Sequence, residues 1–248
     1  MSVGVRIEET IEIPPGIDSL EKFREWALSD DFPEIGRIDY IQGVIDVNGV
    51  VVDAGMVEVE LMPERMISHS DVKAAVARRL TERVLDSDLG KVCIDGMRFS
   101  SMESSMSCEP DVFVLLHETI ESGEVGLTPA SGGAADFIEI QGGPDLVVEI
   151  VSPSSVAKDT RRLPSAYFKA GVREFWPIDA RDDKELRFQI FRRGESGFVE
   201  TEIDDEGFQN SGVLDRRYRL TRERGRREEW RFVLEERGLS SSTLIGET

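Results

Sequence analysis

Glu149 is the residue whose placement most needs a chemical reason. It sits in Asp145–Val151 (DLVVEIV), where Leu146, Val147, Val148, Ile150 and Val151 are all apolar. An ionised carboxylate inside a buried strand is costly unless it is paired or holds a cation. Asp111 opens a second apolar stretch, VFVLL, directly after Glu109 and Pro110. Two acids delivered by two buried strands give a hard cation the oxygen ligands and stiff frame it needs. The structural alternative is an ion pair between Glu149 and an arginine. The chain has two histidines, His69 and His117, and two cysteines, Cys93 and Cys108, with no Cys-x-x-Cys pair. A Cys/His zinc site is thereby excluded, and the thiols are expected to be reduced.

The elements that must position these acids read as a mixed α/β (α+β) fold. Asp18 and Glu21 form a candidate reciprocal N-cap, with Leu20, Phe23 and Ala27 following at helical spacing. Residues 37–61 read as strands, and Asn48-Gly49 between two valine-rich runs is a strong hairpin signal. Val57, Val59 and Leu61 alternate with Glu58 and Glu60 as in a half-buried strand. From Ser70, Val72, Val76, Leu80 and Val84 form one apolar helical stripe, and Gly90 follows its end. Residues 91–99 and 111–116 are strand-like, and 117–136 read as an irregular loop.

Beyond DLVVEIV the pattern predicts a helix over about Asp159 to Ala170, capped at Gly171, with Pro164 delaying or kinking its start. Residues 174–178 and 186–191 read as strands, as do segments near 198–203, 217–220 and 230–235. Phe175 and Trp176 are assigned to the core, Pro177 to an edge or bulge, and Glu174 to an arginine partner. The chain reads as a single domain, 1–248.

The net charge of −19 argues against coating nucleic acid by bulk electrostatics. It leaves room for local neutralisation by a cation or a basic patch. Residues 216–231 carry eight arginines: Arg216, Arg217, Arg219, Arg222, Arg224, Arg226, Arg227 and Arg231. They read either as solvated faces of surface strands or as a patch facing phosphate. No apolar run reaches the roughly 20 residues of a membrane span, and the N-terminus lacks a signal-peptide layout, so a cytoplasmic location is expected.

The run PDLVVEIVSPSS, then KD, AYFKAGVREFW and ID, resembles the Uma-two family of bacterial restriction-endonuclease-like proteins. GRIDYIQG, MPERMISHSDVKAAVARRL and EPDVFVLL extend the resemblance over roughly residues 18–235. The resemblance implies a PD-(D/E)XK nuclease core: a central mixed sheet flanked by helices, here with extra N- and C-terminal hairpins. It implies a magnesium- or manganese-dependent DNA endonuclease. Asp111 and Glu149 would be its two defining acids, and the main-chain carbonyl of Ile150 a third oxygen ligand. Such an enzyme would be most simply a homodimer, one site for each strand of a duplex.

Departures from the family pattern bear on catalysis. Val151 stands where the parent motif has lysine, and Leu163 where many relatives carry it on the following helix. The nearest basic substitutes are Lys158, Arg161 and Arg162, of which Lys158 at the strand–helix junction is the best placed. Asp39 matches an auxiliary N-terminal acid, with Asp46 and Glu58 as competitors because 48–59 looks inserted. His69 matches a recurring histidine that caps the helix or touches phosphate, a structural role being the commoner one. Without a basic group at the site, the chain would instead be a non-catalytic metal- or nucleic-acid-binding protein on a degenerate nuclease fold.

Overall fold

The structure, a computed structural model, describes residues 7–33, 36–61, 66–130, 136–153, 155–181 and 184–239. Its helices are α1 (Leu20–Ala27), α2 (Val72–Leu85), α3 (His117–Glu121) and α4 (Leu163–Ala170). The strands are divided among four sheets.

The sheet that carries the acid pair is mixed. Leu146–Ile150 lies at its centre, parallel to Glu174–Asp179 on one side and antiparallel to Val112–Leu116 on the other. Gly90–Ile94 closes one edge, and Phe191–Arg193 and Phe198–Glu200 extend the other. Gly90, which follows the end of α2, opens this edge strand, where a Cβ would stand 2.1 Å from the Leu115 carbonyl oxygen.

Period-two alternation sorts the central strands between two cores. Val112, Val114, Leu146, Val148 and Ile150 face α2, meeting its buried stripe of Val72, Val76, Leu80 and Val84. Each such buried apolar side chain contributes roughly 1.5–3 kcal/mol. Phe113, Leu115 and Val147 face the opposite way, onto Leu163, Ala166, Tyr167 and Ala170 of α4. Asp111 shares parity with Phe113, and Glu149 shares it with Val147. Glu149 therefore lies on the α4 face, where it meets Tyr167, while Asp111, one residue ahead of its strand, also reaches Lys73 of α2 and His69 just before it.

The second large sheet runs in the order Gly126–Pro129, Phe137–Gln141, Arg98–Ser101, Met106–Cys108, Ile38–Ile41, Val44–Val47 and Val50–Val52. Asn48 and Gly49 turn the last hairpin with φ of 51° and 90°, the left-handed pair a tight hairpin needs. The short link Glu109–Pro110–Asp111 carries the chain from this sheet into the first. The N-terminal strand Ile7–Ile13 pairs with Gly55–Leu61, so this outlying pair is a long-range pairing and not a hairpin. The C-terminal hairpin Arg216–Arg224 with Trp230–Arg237 adds Gln209–Ser211 at its edge.

Other local expectations are corrected. Ser19 caps α1, accepting from Lys22 N at 3.4 Å, while Asp18 pairs with the Lys22 side chain. Within 117–136, the segments His117–Glu121 and Gly126–Pro129 are ordered elements, and 131–135 lie outside the described residues. Ahead of α4, Lys158–Arg162 forms a wider π-helical turn, and Pro164 sits in the first turn of the α-helix proper, where its missing N–H is harmless. Gly171 ends α4 at φ 95°.

Glu174 has no arginine among its hydrogen-bond partners. Its carboxylate accepts from Trp176 Nε1, Ser211 Oγ and the Gly212 and Val213 N–H groups. Pro177 falls where the neighbouring edge is interrupted: Phe191–Arg193 pairs up to Phe175, and Arg187–Phe188 resumes at Ile178.

Candidate active site

Asp111 and Glu149 converge because their strands pair antiparallel with Val112 opposite Val148, which places the acids across from each other one position further on. The Ile150 N–H donates to Asp111 Oδ2 at 2.7 Å and locks the two strands together at this point. Both carboxylates are buried, Asp111 at 2% and Glu149 at 1% exposure.

Arg37 lies between them. Its guanidinium reaches Asp111 Oδ1 at 3.3 Å with Nη1 and Glu149 Oε2 at 3.3 Å with Nη2. Its Nε stands 3.5 Å from Asp39 Oδ2. The backbone of Arg37 is held by the hairpin turn: its N–H donates to Asn48 Oδ1 at 2.8 Å, and its carbonyl accepts from Asn48 N–H at 2.9 Å.

Asp39 arrives from the second sheet. It accepts from Glu109 N–H at 3.1 Å, on the link that leads into Asp111. Lys158, on the π-helical turn after the Glu149 strand, donates to Asp39 Oδ2 at 3.0 Å and is 2% exposed. Asp39, Asp111, Glu149 and Lys158 are thus brought into one cluster. His69, in the turn Met66–Asp71 before α2, sits at its rim with Nε2 3.6 Å from Asp111 Oδ2. Asp46 points elsewhere: it accepts from Gly49 N–H at 2.7 Å and pairs with Arg162. The side chain of Glu58 lies outside the described residues. Val151 and Leu163 are both buried.

Four further residues complete the cluster, and beyond an arginine partner for Glu149 the sequence assigns none of them a role. Arg37 is one. Tyr167 of α4 donates its hydroxyl to Glu149 Oε1. Lys73 of α2 lies 3.6 Å from Asp111 Oδ1 and 2.9 Å from Asp95 Oδ1. Asp159 is buried and accepts from Ser155, while its Oδ1 has no hydrogen-bond partner. Buried charges cluster in general because each needs an opposite charge, but sequence spacing does not tell which will meet.

Burial acts first on every group here, and the neighbours decide the outcome. For Asp111, burial is outweighed by Arg37, His69, Lys73 and the Ile150 N–H, so its carboxyl stays below the usual range. For Glu149, burial prevails over Arg37, with Asp111 and Asp159 adding repulsion, and pushes the carboxyl up to about 8. Burial also lifts Asp159, against Lys158 and Ser155, to about 6. In Asp39, Lys158, Arg37 and Arg98 overcome burial and hold the carboxyl low. Lys158 stays above its ordinary value despite burial and Arg37, because Asp39, Asp159 and Glu149 face it.

Among the described residues, no group of three or more His, Cys, Asp or Glu side chains is arranged to hold a metal ion. Magnesium does not require one: it is commonly bound by one or two carboxylates and completes its octahedron with water and substrate phosphate. Asp111 and Glu149 already bracket a single cation, the Arg37 guanidinium. That pairing is the arginine alternative foreseen for Glu149, and carboxylate oxygens are also the donor type that a hard divalent ion takes.

Four of the eight arginines of 216–231 face acids. Arg216 faces Glu236, Arg217 Asp204, Arg219 Glu235 and Arg231 Glu223. Arg222 and Arg224 lie over the Trp230 ring at 4.3 and 3.7 Å.

The family model Uma2, described as "Putative restriction endonuclease", matches residues 20–217. The chain belongs to the Uma2 family. No curated protein matches it. Among solved structures, this Uma2 chain is similar to a "putative nuclease belonging to DUF820 from Anabaena variabilis ATCC 29413". The TM-score is 0.54 at 16% identity, over 79% of this chain and 90% of that one. At that identity the likeness concerns the fold, which is restriction-endonuclease-like. No helix among the described residues is long and apolar enough to cross a membrane.

Proposed function

We propose that this Uma2 chain is a divalent-metal-dependent endonuclease that hydrolyses DNA phosphodiester bonds. The observation that carries the reading is the convergence of two buried carboxylates, Asp111 and Glu149, which the Arg37 guanidinium bridges at 3.3 Å, with Lys158 and Asp39 beside them. Family and fold point the same way.

Asp111, Glu149 and the Ile150 carbonyl would hold the ion. A bound magnesium or manganese ion would supply the Lewis acid that activates water and offsets charge on the phosphate. The chain's own groups divide the remaining work. Asp111 is fixed by the Ile150 N–H and stays ionised. Tyr167 orients Glu149 through its hydroxyl. Lys158 is held as an ammonium by the surrounding acids, so it serves as a fixed positive charge and donor, not as a base. Asp39 keeps that ammonium in place. His69, at the rim, would contact a phosphate oxygen.

We take the chain as one domain, cytoplasmic, and working as a two-fold dimer that cuts both strands. The test is nicking of supercoiled plasmid with magnesium, manganese or calcium, comparing wild type with Asp111→Asn and Glu149→Gln. Metal-dependent cleavage lost in both variants supports the reading. Cleavage that survives the double substitution rejects it.

One observation favours a second reading, a non-catalytic metal- or nucleic-acid-binding protein. Val151 and Leu163 are buried apolar residues at the two positions where relatives carry lysine. Manganese and DNA binding without hydrolysis of any DNA substrate would select it.

A further inference from the structure

Arg37 is seated in the acid cluster by charge more than by geometry. Its contacts to Asp111, Glu149 and Asp39 fall between 3.3 and 3.5 Å. Charge-assisted pairs normally close to about 2.7–2.9 Å. Its Nε is buried without a hydrogen-bond partner. One guanidinium is thus shared by three carboxylates and fully satisfied by none. Its backbone, by contrast, is pinned on both sides by Asn48. The side chain keeps 25% exposure, so a route toward solvent is open without moving the strand.

We propose that Arg37 is a built-in competitor for the divalent ion. The inference rests on the reading of Asp111 and Glu149 as ion ligands. Without metal, the guanidinium offsets part of the charge on the two acids and holds them together. A divalent ion between the same carboxylates meets like charge at contact distance, so it binds only as the guanidinium swings out on its fixed backbone. Metal affinity is then set by the balance between ion and guanidinium, in addition to the ligands themselves.

Calorimetric titration with manganese, in wild type and Arg37→Met, reads this directly. Removing a mutually exclusive competitor raises manganese affinity at least about fivefold, the lower end of usual coupling between sites. The metal-free variant melts below wild type, and saturating manganese narrows the gap. Equal or weaker manganese affinity in a folded Arg37→Met overturns the competition while leaving the nuclease reading intact. Absence of manganese binding in both proteins overturns the metal site itself, and the competition with it.

A measurement on the wild type covers the case of a variant that does not fold. Arginine side-chain ¹⁵N spectra are recorded with and without magnesium. The Arg37 Nε–H resonance must move as magnesium saturates the protein, and a resonance unmoved at saturation overturns the proposal.

Discussion

The Lys158 ammonium donates to Asp39 Oδ2 at 3.0 Å, and both side chains are closed off from solvent at 2% and 0% exposure. Under the proposed function, this pair would fill the corner that Val151 and Leu163 leave without a cation. Lys158→Met should lower single-turnover DNA cleavage by about 10²–10³-fold, the range for losing a fixed electrostatic donor. It also removes the side chain that hydrogen-bonds Asp39, leaving Arg37 and the Glu109 N–H beside it, so a stability loss of up to about 3 kcal/mol is expected. The assay is therefore run well below the melting temperature, with a manganese isotherm alongside. Cleavage should fall while manganese affinity persists. Loss of both in step would assign Lys158 to the fold alone.

Arg24 and Glu139 tie α1 to the second sheet. The guanidinium reaches Oε1 at 2.8 Å with Nε and Oε2 at 2.6 Å with Nη2. Burial raises the Glu139 carboxyl, but Arg24, Ser100 and Thr128 outweigh it and hold it below the ordinary 4.5. A carboxyl depressed in the folded state contributes stability above its unfolded value and loses it as pH falls through the folded one. Wild-type stability should therefore drop with acid below about 4.5. Arg24→Met removes the partner and should flatten that part of the curve, at a cost near neutrality of about 3–5 kcal/mol. Urea midpoints measured across this range check it, and parallel curves would contradict the assignment.

Glu174 supports the acid-pair sheet from the other side. Oε1 accepts from the Gly212 and Val213 N–H groups at 2.6 and 3.0 Å. Oε2 accepts from Trp176 Nε1 at 3.1 Å and Ser211 Oγ at 2.7 Å. In Glu174→Gln the amide nitrogen, placed on either side, faces an N–H that can only donate. The expected cost is about 1–3 kcal/mol of unfolding free energy. A denaturation midpoint equal to wild type would show that the loop rearranges to absorb the change.

Much of the frame around the site is legible because its signals are local. The Asn48-Gly49 pair sets its own turn through two positive φ values. DLVVEIV declares a strand buried on both faces. The α2 stripe of Val72, Val76, Leu80 and Val84 is likewise readable by period. What escapes the sequence is the choice of partner across long separations. An arginine partner for Glu149 is foreseeable in kind. That it is Arg37, 112 residues earlier, is decided by how two sheets meet at Glu109–Pro110–Asp111. Three of the four donors around Glu174 are invisible for the same reason: Ser211 Oγ and the Gly212 and Val213 N–H groups come from a polar segment at and after Gln209–Ser211, whose strand has no apolar pattern.

Anomalous scattering from a manganese-soaked crystal tests the central claim most directly. The account predicts a single strong peak within coordination distance of both Asp111 and Glu149, with the Arg37 guanidinium displaced from its place between them. A folded, manganese-saturated crystal with no peak there, and Arg37 still bridging the two carboxylates, would contradict it.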